Sequence, residues 1–341
     1  MLDTTEVAKL TASPAPIVLS VMRNELARLP RWFEHYRAMG ITQFIVVDNG
    51  SSDGTTEFLR AQPDLLLLHT EDSYLESNFG MTWVNDIRRR LPPQVWTLFV
   101  DADEYLVYEG WPGRGVAAYV AQIPDACDAV PGFMLDMYPK GDIKGAGPGD
   151  DLLTKACYFD TRYHFRKRPL KPWRKDAPAM EVVGGPRVRL FSTLEREQRT
   201  TWLTYWIRGQ LDRLLAVAPV GWRRTIIENF PQTPPALKKV PLLRGHGPQY
   251  LNAHDIDHGV YHQTNGVLLH FKFTADFAEK IEREIQRQEH YRFGAEYILY
   301  NKYILRQGPI ALYSESESGT FETAEDLIRL KLIRDVSEYF S

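Results

Sequence analysis

Phe99-Val100-Asp101-Ala102-Asp103-Glu104 closes an apolar run with carboxylates at i and i+2. Hard divalent cations take oxygen ligands, and this spacing brings Asp101 and Asp103 within reach of one ion. One carboxylate can hold the metal while the other meets a nearby hydroxyl. A cation so held bridges a diphosphate and takes up charge as a sugar–phosphate bond breaks. Strand-end carboxylates also occur as plain solvated turn residues, so the neighbouring motifs decide between the two.

One strand–helix unit earlier stands Val46-Val47-Asp48-Asn49-Gly50-Ser51-Ser52-Asp53-Gly54-Thr55. Asp48 can accept from a base imide N–H or a ribose hydroxyl. The Gly and Ser residues permit a tight turn with exposed backbone donors. Far downstream, His270 ends the apolar run that begins at Gly266. Neutral imidazole is a competent metal ligand, so the expected metal set is Asp101, Asp103 and His270. The alternative for His270 is a structural histidine in a buried strand. Lys272 follows on the same side and is expected to meet the diphosphate. His254, His258 and His262 would share one face of a helix, but Gly259 and the lack of an apolar stripe favour a loop there.

The stretch from Ile17 to Tyr105 resembles the nucleotide-binding half of family-2 glycosyltransferases with the GT-A fold. The matching pieces are Leu19-Ser20-Val21-Met22-Arg23-Asn24-Glu25, the Asp48 turn, and the Asp101-Ala102-Asp103 segment, in the family's order and separation. The flavour is that of a bacterial subgroup with an Arg-Asn-Glu start and a Trp-bearing helix, here Leu29-Pro30-Arg31-Trp32-Phe33-Glu34-His35-Tyr36. Lys238-Lys239-Val240-Pro241-Leu242 and Leu268-Leu269-His270-Phe271-Lys272 are similar to its C-terminal pieces. The resemblance implies a divalent metal (Mn²⁺ or Mg²⁺), a nucleotide-sugar donor with a UDP-sugar as first candidate, a glycan or lipid-linked acceptor, and inversion at the anomeric carbon. Asp103 would be the main metal ligand and Asp101 would help with metal or ribose. Asp48 and Arg23, Asn24 and Glu25 would hold base and ribose. An inverting transferase needs a base for the acceptor hydroxyl. The family draws it from the middle of the chain, where the match is poor, and Asp136, Glu181 and Asp255 are the alternatives.

The elements that position these residues read as strand–helix alternation. Short apolar runs at Ile17–Val21, Phe44–Val47, Leu65–His69 and Trp96–Val100 predict strands. Leu26–Met39, Thr55–Gln62 and Phe79–Arg90 predict helices between them. This order argues for an α/β fold with a mostly parallel sheet flanked by helices, whose ligands sit beyond the carboxyl ends of the strands. Further on, Ala129–Tyr138 and Arg187–Phe191 look like strands, and Lys140–Asp151 like a loop. Arg199–Phe230, Ala275–Gln288 and Phe293–Leu305 look helical. The expected organisation is a GT-A-like domain over 14–275, split at 110 into nucleotide and acceptor halves, with a helical extension over 276–341.

Composition narrows the classes. The 341 residues are 44% hydrophobic and 25% charged, ordinary for a folded chain. A net charge of −3 gives no footprint for nucleic acid. Two cysteines, Cys127 and Cys157, exclude a thiolate zinc site and fit a reducing compartment. With no secretory pattern at Met1 and no run long enough to span a bilayer, a cytoplasmic protein is expected. Two features offer docking at the inner face of the membrane or on an acidic acceptor. They are the seven basic residues between Thr161 and Lys175, and the Trp- and Arg-rich stretch Arg199–Phe230. Solvated surface and core packing are the alternatives for them. Two rival readings stand beside the transferase. A sugar nucleotidyltransferase would need a glycine-rich loop after the first strand, where Arg23-Asn24-Glu25 stands instead. A catalytically silent carbohydrate-binding or scaffold protein would have no use for an intact Asp101/Asp103 pair.

Overall fold

Four apolar runs in the first hundred residues form parallel strands. β1 (Ile17–Met22), β2 (Phe44–Asp48), β3 (Leu65–His69) and β4 (Trp96–Phe99) lie in the order β4–β1–β2–β3. Helices α1 (Leu29–Ala38), α2 (Thr55–Arg60) and α3 (Met81–Arg90) make the crossovers. Every residue of β2 and β4 is buried. Parallel strands are covered on both faces, which is why they read as unbroken apolar runs. The coordinates are a computed structural model that describes residues 3–10, 13–167, 180–190, 222, 237–287, 296–302 and 309–340.

The second half turns the sheet mixed. Its elements are β5 (Glu104–Val107), α4 (Val116–Val120), β6 (Ala129–Tyr138), α5 (Leu152–Lys155) and β7 (Tyr158–Asp160). β8 (Tyr163–Lys167), β9 (Met180–Gly184), α6 (Pro186–Leu190) and β10 (Lys238–Arg244) follow. Then come β11 (Tyr250–Asn252), β12 (Asp255–Ile256), β13 (Gly266–His270) and α7 (Phe277–Arg287). A helical segment at 296–302, β14 (Ser318–Thr320) and α8 (Ala324–Arg329) complete the described chain. β10 runs antiparallel between β4 and β6, and β13 lies parallel to β6 and antiparallel to β5. The fold is therefore α/β around a ten-stranded sheet. The parallel pairing expected from the sequence holds for β4–β1–β2–β3 and for β6–β13, while the other pairs are antiparallel.

Alternation along β1 sends side chains to two cores. Val18 belongs to the apolar core on one face that also holds Trp32, Leu98, Phe133 and Leu268. Ile17 and Leu19 pack with Val47, Val84 and Phe99 on the other.

Two expectations change. Residues 187–191 read as a strand because Arg and apolar residues alternate, yet Pro186–Leu190 is helix α6. Gly185 turns the chain at φ +76°, and Pro186 takes the first helical position, where its missing N–H costs nothing. The extension over 276–341 is not helical throughout. β14 pairs antiparallel with β7 at the sheet edge, and Phe321, Ala324, Leu327, Leu332 and Ile333 belong to the same core as Val18 and Trp32. The Arg199–Phe230 stretch lies outside the described residues apart from Trp222, which is exposed. Of the Thr161–Lys175 run, residues 161–167 are described; Arg162 pairs with Glu317 and Arg166 with Glu181. Among the described residues no helix is long and apolar enough to cross a membrane.

Candidate active site

The Asp101–Glu104 segment is held from below by α1. Trp32, Phe33 and Tyr36 form the buried face of that helix, as their spacing requires. Each polar edge on this face meets backbone. Trp32 Nε1 donates to the Asp101 carbonyl at 3.1 Å. The Tyr36 hydroxyl donates to the Glu104 carbonyl at 2.8 Å and accepts from Leu106 N at 3.2 Å. His35 Nε2 meets the Leu106 carbonyl at 3.2 Å and its ring stacks on Tyr105. The Trp-bearing helix is thus the seat on which the acidic loop rests.

β13 brings His270 to that loop. In the sheet register His270 lies opposite Glu104 on one side and Asp136 on the other, and Phe271 N donates to the Asp103 carbonyl at 2.8 Å. His270 Nδ1 sits 2.7 Å from Asp136 Oδ1, and His270 Nε2 lies 3.8 Å from Asp103 Oδ2. Asp136 is fully buried and also takes a bidentate grip from Arg187 of α6, at 2.6 and 2.8 Å. Arg187 Nη2 is 2.9 Å from His270 Nδ1 as well. Both nitrogens converge on the same Asp136 oxygen; with the proton on Nδ1, shared with Asp136, the Nε2 lone pair would face Asp103. Burial would raise the Asp136 carboxyl, but Arg187 and the His270 hydrogen bond outweigh it and hold it well below the usual carboxylate range. Engaged on both oxygens, Asp136 orients His270 rather than offering itself as a base.

Two lysines neutralise the acidic loop. Lys239 of β10 reaches Asp101 at 2.9 Å and both oxygens of the buried Glu104 at 2.5 and 2.6 Å. Burial pushes the Glu104 carboxyl up to about 7 against the pull of Lys239. Lys280 of α7 lies 3.2 Å from Asp103 Oδ2 and 3.6 Å from Glu25 Oε1. Glu25 is also paired with Arg28 at 3.0 Å, and Arg28 with Asp276 at 2.8 Å. Burial opposes the Asp103 anion, yet Lys280, His270 and Arg28 keep it well below the ordinary range.

The loops after β1 and β2 are laced together. Asn24, in the left-handed region at φ +56°, receives Ser52 N on its side-chain oxygen at 2.7 Å and donates its own N to Ser51 Oγ at 3.0 Å. Glu25 N donates to Thr55 Oγ1 at 3.0 Å, and Arg23 Nη1 to the Asn49 carbonyl at 3.2 Å. Asp48 is wholly buried and accepts from Ser51 and Thr56 hydroxyls at 2.5 Å each, with His69 at 3.3 Å. It builds the turn from within and offers no free oxygen at the loop surface.

The structure therefore gathers Arg23, Asn24, Glu25, Asp48, Asp101, Asp103 and His270 at the carboxyl ends of β1, β2, β4 and β13. Lys272 stands beside this group but ion-pairs with Glu296 between the Tyr297 and Tyr300 rings. Glu181 lies on the β8–β9 hairpin, paired with Arg166 at 2.8 Å. Asp255 lies on the β11–β12 hairpin, paired with Lys238 at 2.5 Å. That hairpin also separates the downstream histidines: His254 meets the Lys238 carbonyl, His258 pairs with Asp257, and His262 meets the Thr264 carbonyl. Lys239, Lys280, Arg187 and Glu296 were not singled out from the sequence. A lysine inside a buried run, such as Lys239 in Lys238-Lys239-Val240-Pro241-Leu242, was the available sign, since a buried ammonium demands a carboxylate.

Asp103 and His270 fit one edge of a cation shell. Their donor atoms lie 3.8 Å apart, and a carboxylate backing a histidine is the usual outer shell of such ligands. An oxygen–imidazole pair suits Mn²⁺ better than Mg²⁺, which favours oxygen alone. Among the described residues no three His, Cys, Asp or Glu side chains converge as a metal cluster. No family model matches the chain, and no curated protein matches it by sequence.

Proposed function

We propose that this chain is a metal-dependent, inverting glycosyltransferase of GT-A type that uses a nucleotide-sugar donor, with a UDP-sugar as first candidate. One observation carries the reading. Loops that lie apart in sequence and resemble a donor site meet at one sheet edge, with Asp103 and His270 facing each other and Asp136 holding the imidazole.

Asp103 and His270 would hold Mn²⁺, which when bound neutralises charge on a departing diphosphate. The chain's own residues do the rest. Asp136 would set the His270 tautomer, and Arg187 holds Asp136 in place. The interlocked Arg23–Glu25 and Asn49–Asp53 loops present a rigid surface for base and ribose. Arg28 adds a buried positive charge beside Glu25 and Asp276. The acceptor is proposed to be a glycan or a lipid-linked sugar, and the work place the cytoplasm or the inner membrane face.

The test is calorimetry of UDP with and without Mn²⁺, on the natural chain and on Asp103→Asn. Metal-dependent UDP binding that Asp103→Asn abolishes supports the reading. UDP binding indifferent to both metal and Asp103 refutes it.

A further inference from the structure

Helix α7 crosses the same sheet edge. Asp276, just before it, pairs with Arg28 behind β1. Lys280, in its first turn, meets Asp103 after β4 and Glu25 after β1. Arg287, at its last position, donates to Asn49 Oδ1 after β2 at 3.1 Å and lies over the Tyr74 ring. Lys280 and Arg287 are seven residues apart and therefore share one helix face. That face touches the three loops assigned above to the donor. Phe277 and Ile281 anchor the first half of the helix in a separate apolar cluster with Phe273 and Tyr300.

We propose that Lys280 is a built-in competitor of the metal at Asp103, and that α7 is a strap that must lift from the donor edge before a cation binds. This inference rests on the transferase reading of the site. An ammonium 3.2 Å from Asp103 Oδ2 satisfies the charge that a divalent ion would otherwise satisfy. The two compete for that oxygen, because an ammonium and a divalent cation repel each other at such close range. The same exchange gives the ammonium a second task. When the strap closes again over a bound nucleotide, diphosphate oxygens would offer Lys280 an anion in place of Asp103. Lys280 thus couples metal loading to strap movement, and Arg287 releases Asn49 in the same step.

The experiment uses the full chain without nucleotide. Mn²⁺ binding is measured by electron paramagnetic resonance for the natural protein, Lys280→Met, Lys280→Gln, Asp103→Asn and the exposed control Lys144→Met. Amide exchange across 277–287 is followed with and without Mn²⁺. The expected result is Mn²⁺ binding at least about ten-fold tighter in both Lys280 variants, unchanged in Lys144→Met and lost in Asp103→Asn. In the natural protein, Mn²⁺ should also speed exchange in α7. Asp103-dependent binding that is equal with and without Lys280 overturns the competitor and leaves the transferase reading standing. Tighter binding with no change in α7 exchange overturns the strap. Absence of Mn²⁺ binding in every variant overturns both the competitor and the metal site it rests on.

Discussion

Asp136→Asn tests a residue that the sequence offers, beside Glu181 and Asp255, as one alternative for acceptor activation. The substitution keeps the shape and one acceptor but deletes the charge facing Arg187, whose side chain is only 2% exposed. Breaking a buried ion pair by removing one partner costs about 3–5 kcal/mol. The Asn oxygen restores roughly 1 kcal/mol through one retained hydrogen bond, and Glu296, 3.7 Å from Arg187, offsets a little more. The expected loss is about 2–4 kcal/mol in a urea titration at pH 7. Adding Arg187→Met should recover most of it, because the second change removes the stranded charge. The pH dependence has a definite sign. Asp136 titrates below its unfolded value, so its contribution is complete above that value, about 3.9. The contribution fades only as pH falls further. The difference between natural and variant proteins should be flat from pH 8 to 5. A loss under about 1 kcal/mol, or one that varies steeply across that window, would refute the buried-pair account. So would a double variant no more stable than the single one.

Tyr36→Phe strands the buried Leu106 N–H and Glu104 carbonyl, and should cost about 2–3 kcal/mol; a urea midpoint equal to the natural protein's would remove α1 as the seat of the loop. His35 is pushed down to about 4 by burial, below its unfolded value near 6.5, so the unfolded chain binds more protons between those values. Stability should therefore fall by about 3 kcal/mol as pH drops through that window, and His35→Gln, which keeps the hydrogen bond to Leu106, should flatten the fall when stability is measured at pH 7.5 and 4.5.

What could be seen in the residues was what is local. β3 and β6 match their apolar runs residue for residue, because an unbroken apolar run of strand length declares itself without partner information, whether buried throughout like β6 or half-buried at the sheet edge like β3. The left-handed positions Gly40 and Gly54 likewise mark turns by their own chemistry. The α6 segment was misread because Arg-Val-Arg-Leu alternates like a strand, while the decisive Gly185-Pro186 start counts for one turn only. At the site, Asp103 and His270 were legible as candidates, and their meeting depends on β13 inserting between β5 and β6. Nothing in either motif encodes that insertion. The ion partners escaped for the same reason. Lys280 is one of several charges on an amphipathic helix, and only the path of α7 over the sheet selects it for Asp103.

The C-terminal segment has a consequence for synthesis. β6 is the hub of the second half, with β10, β13 and β7 beside it, and the core beneath is closed by residues as late as Val336. After Tyr138 emerges, roughly 200 more residues must be made, which takes on the order of 10–40 s at cellular elongation rates. Within that interval the two edges of this ten-residue strand stay open until β10 and β13, roughly 100 and 130 residues further on, have been translated. The nascent chain therefore presents a long-lived sticky edge, and its yield should depend on holdase chaperones and on slowed growth rather than on the equilibrium stability of the finished fold.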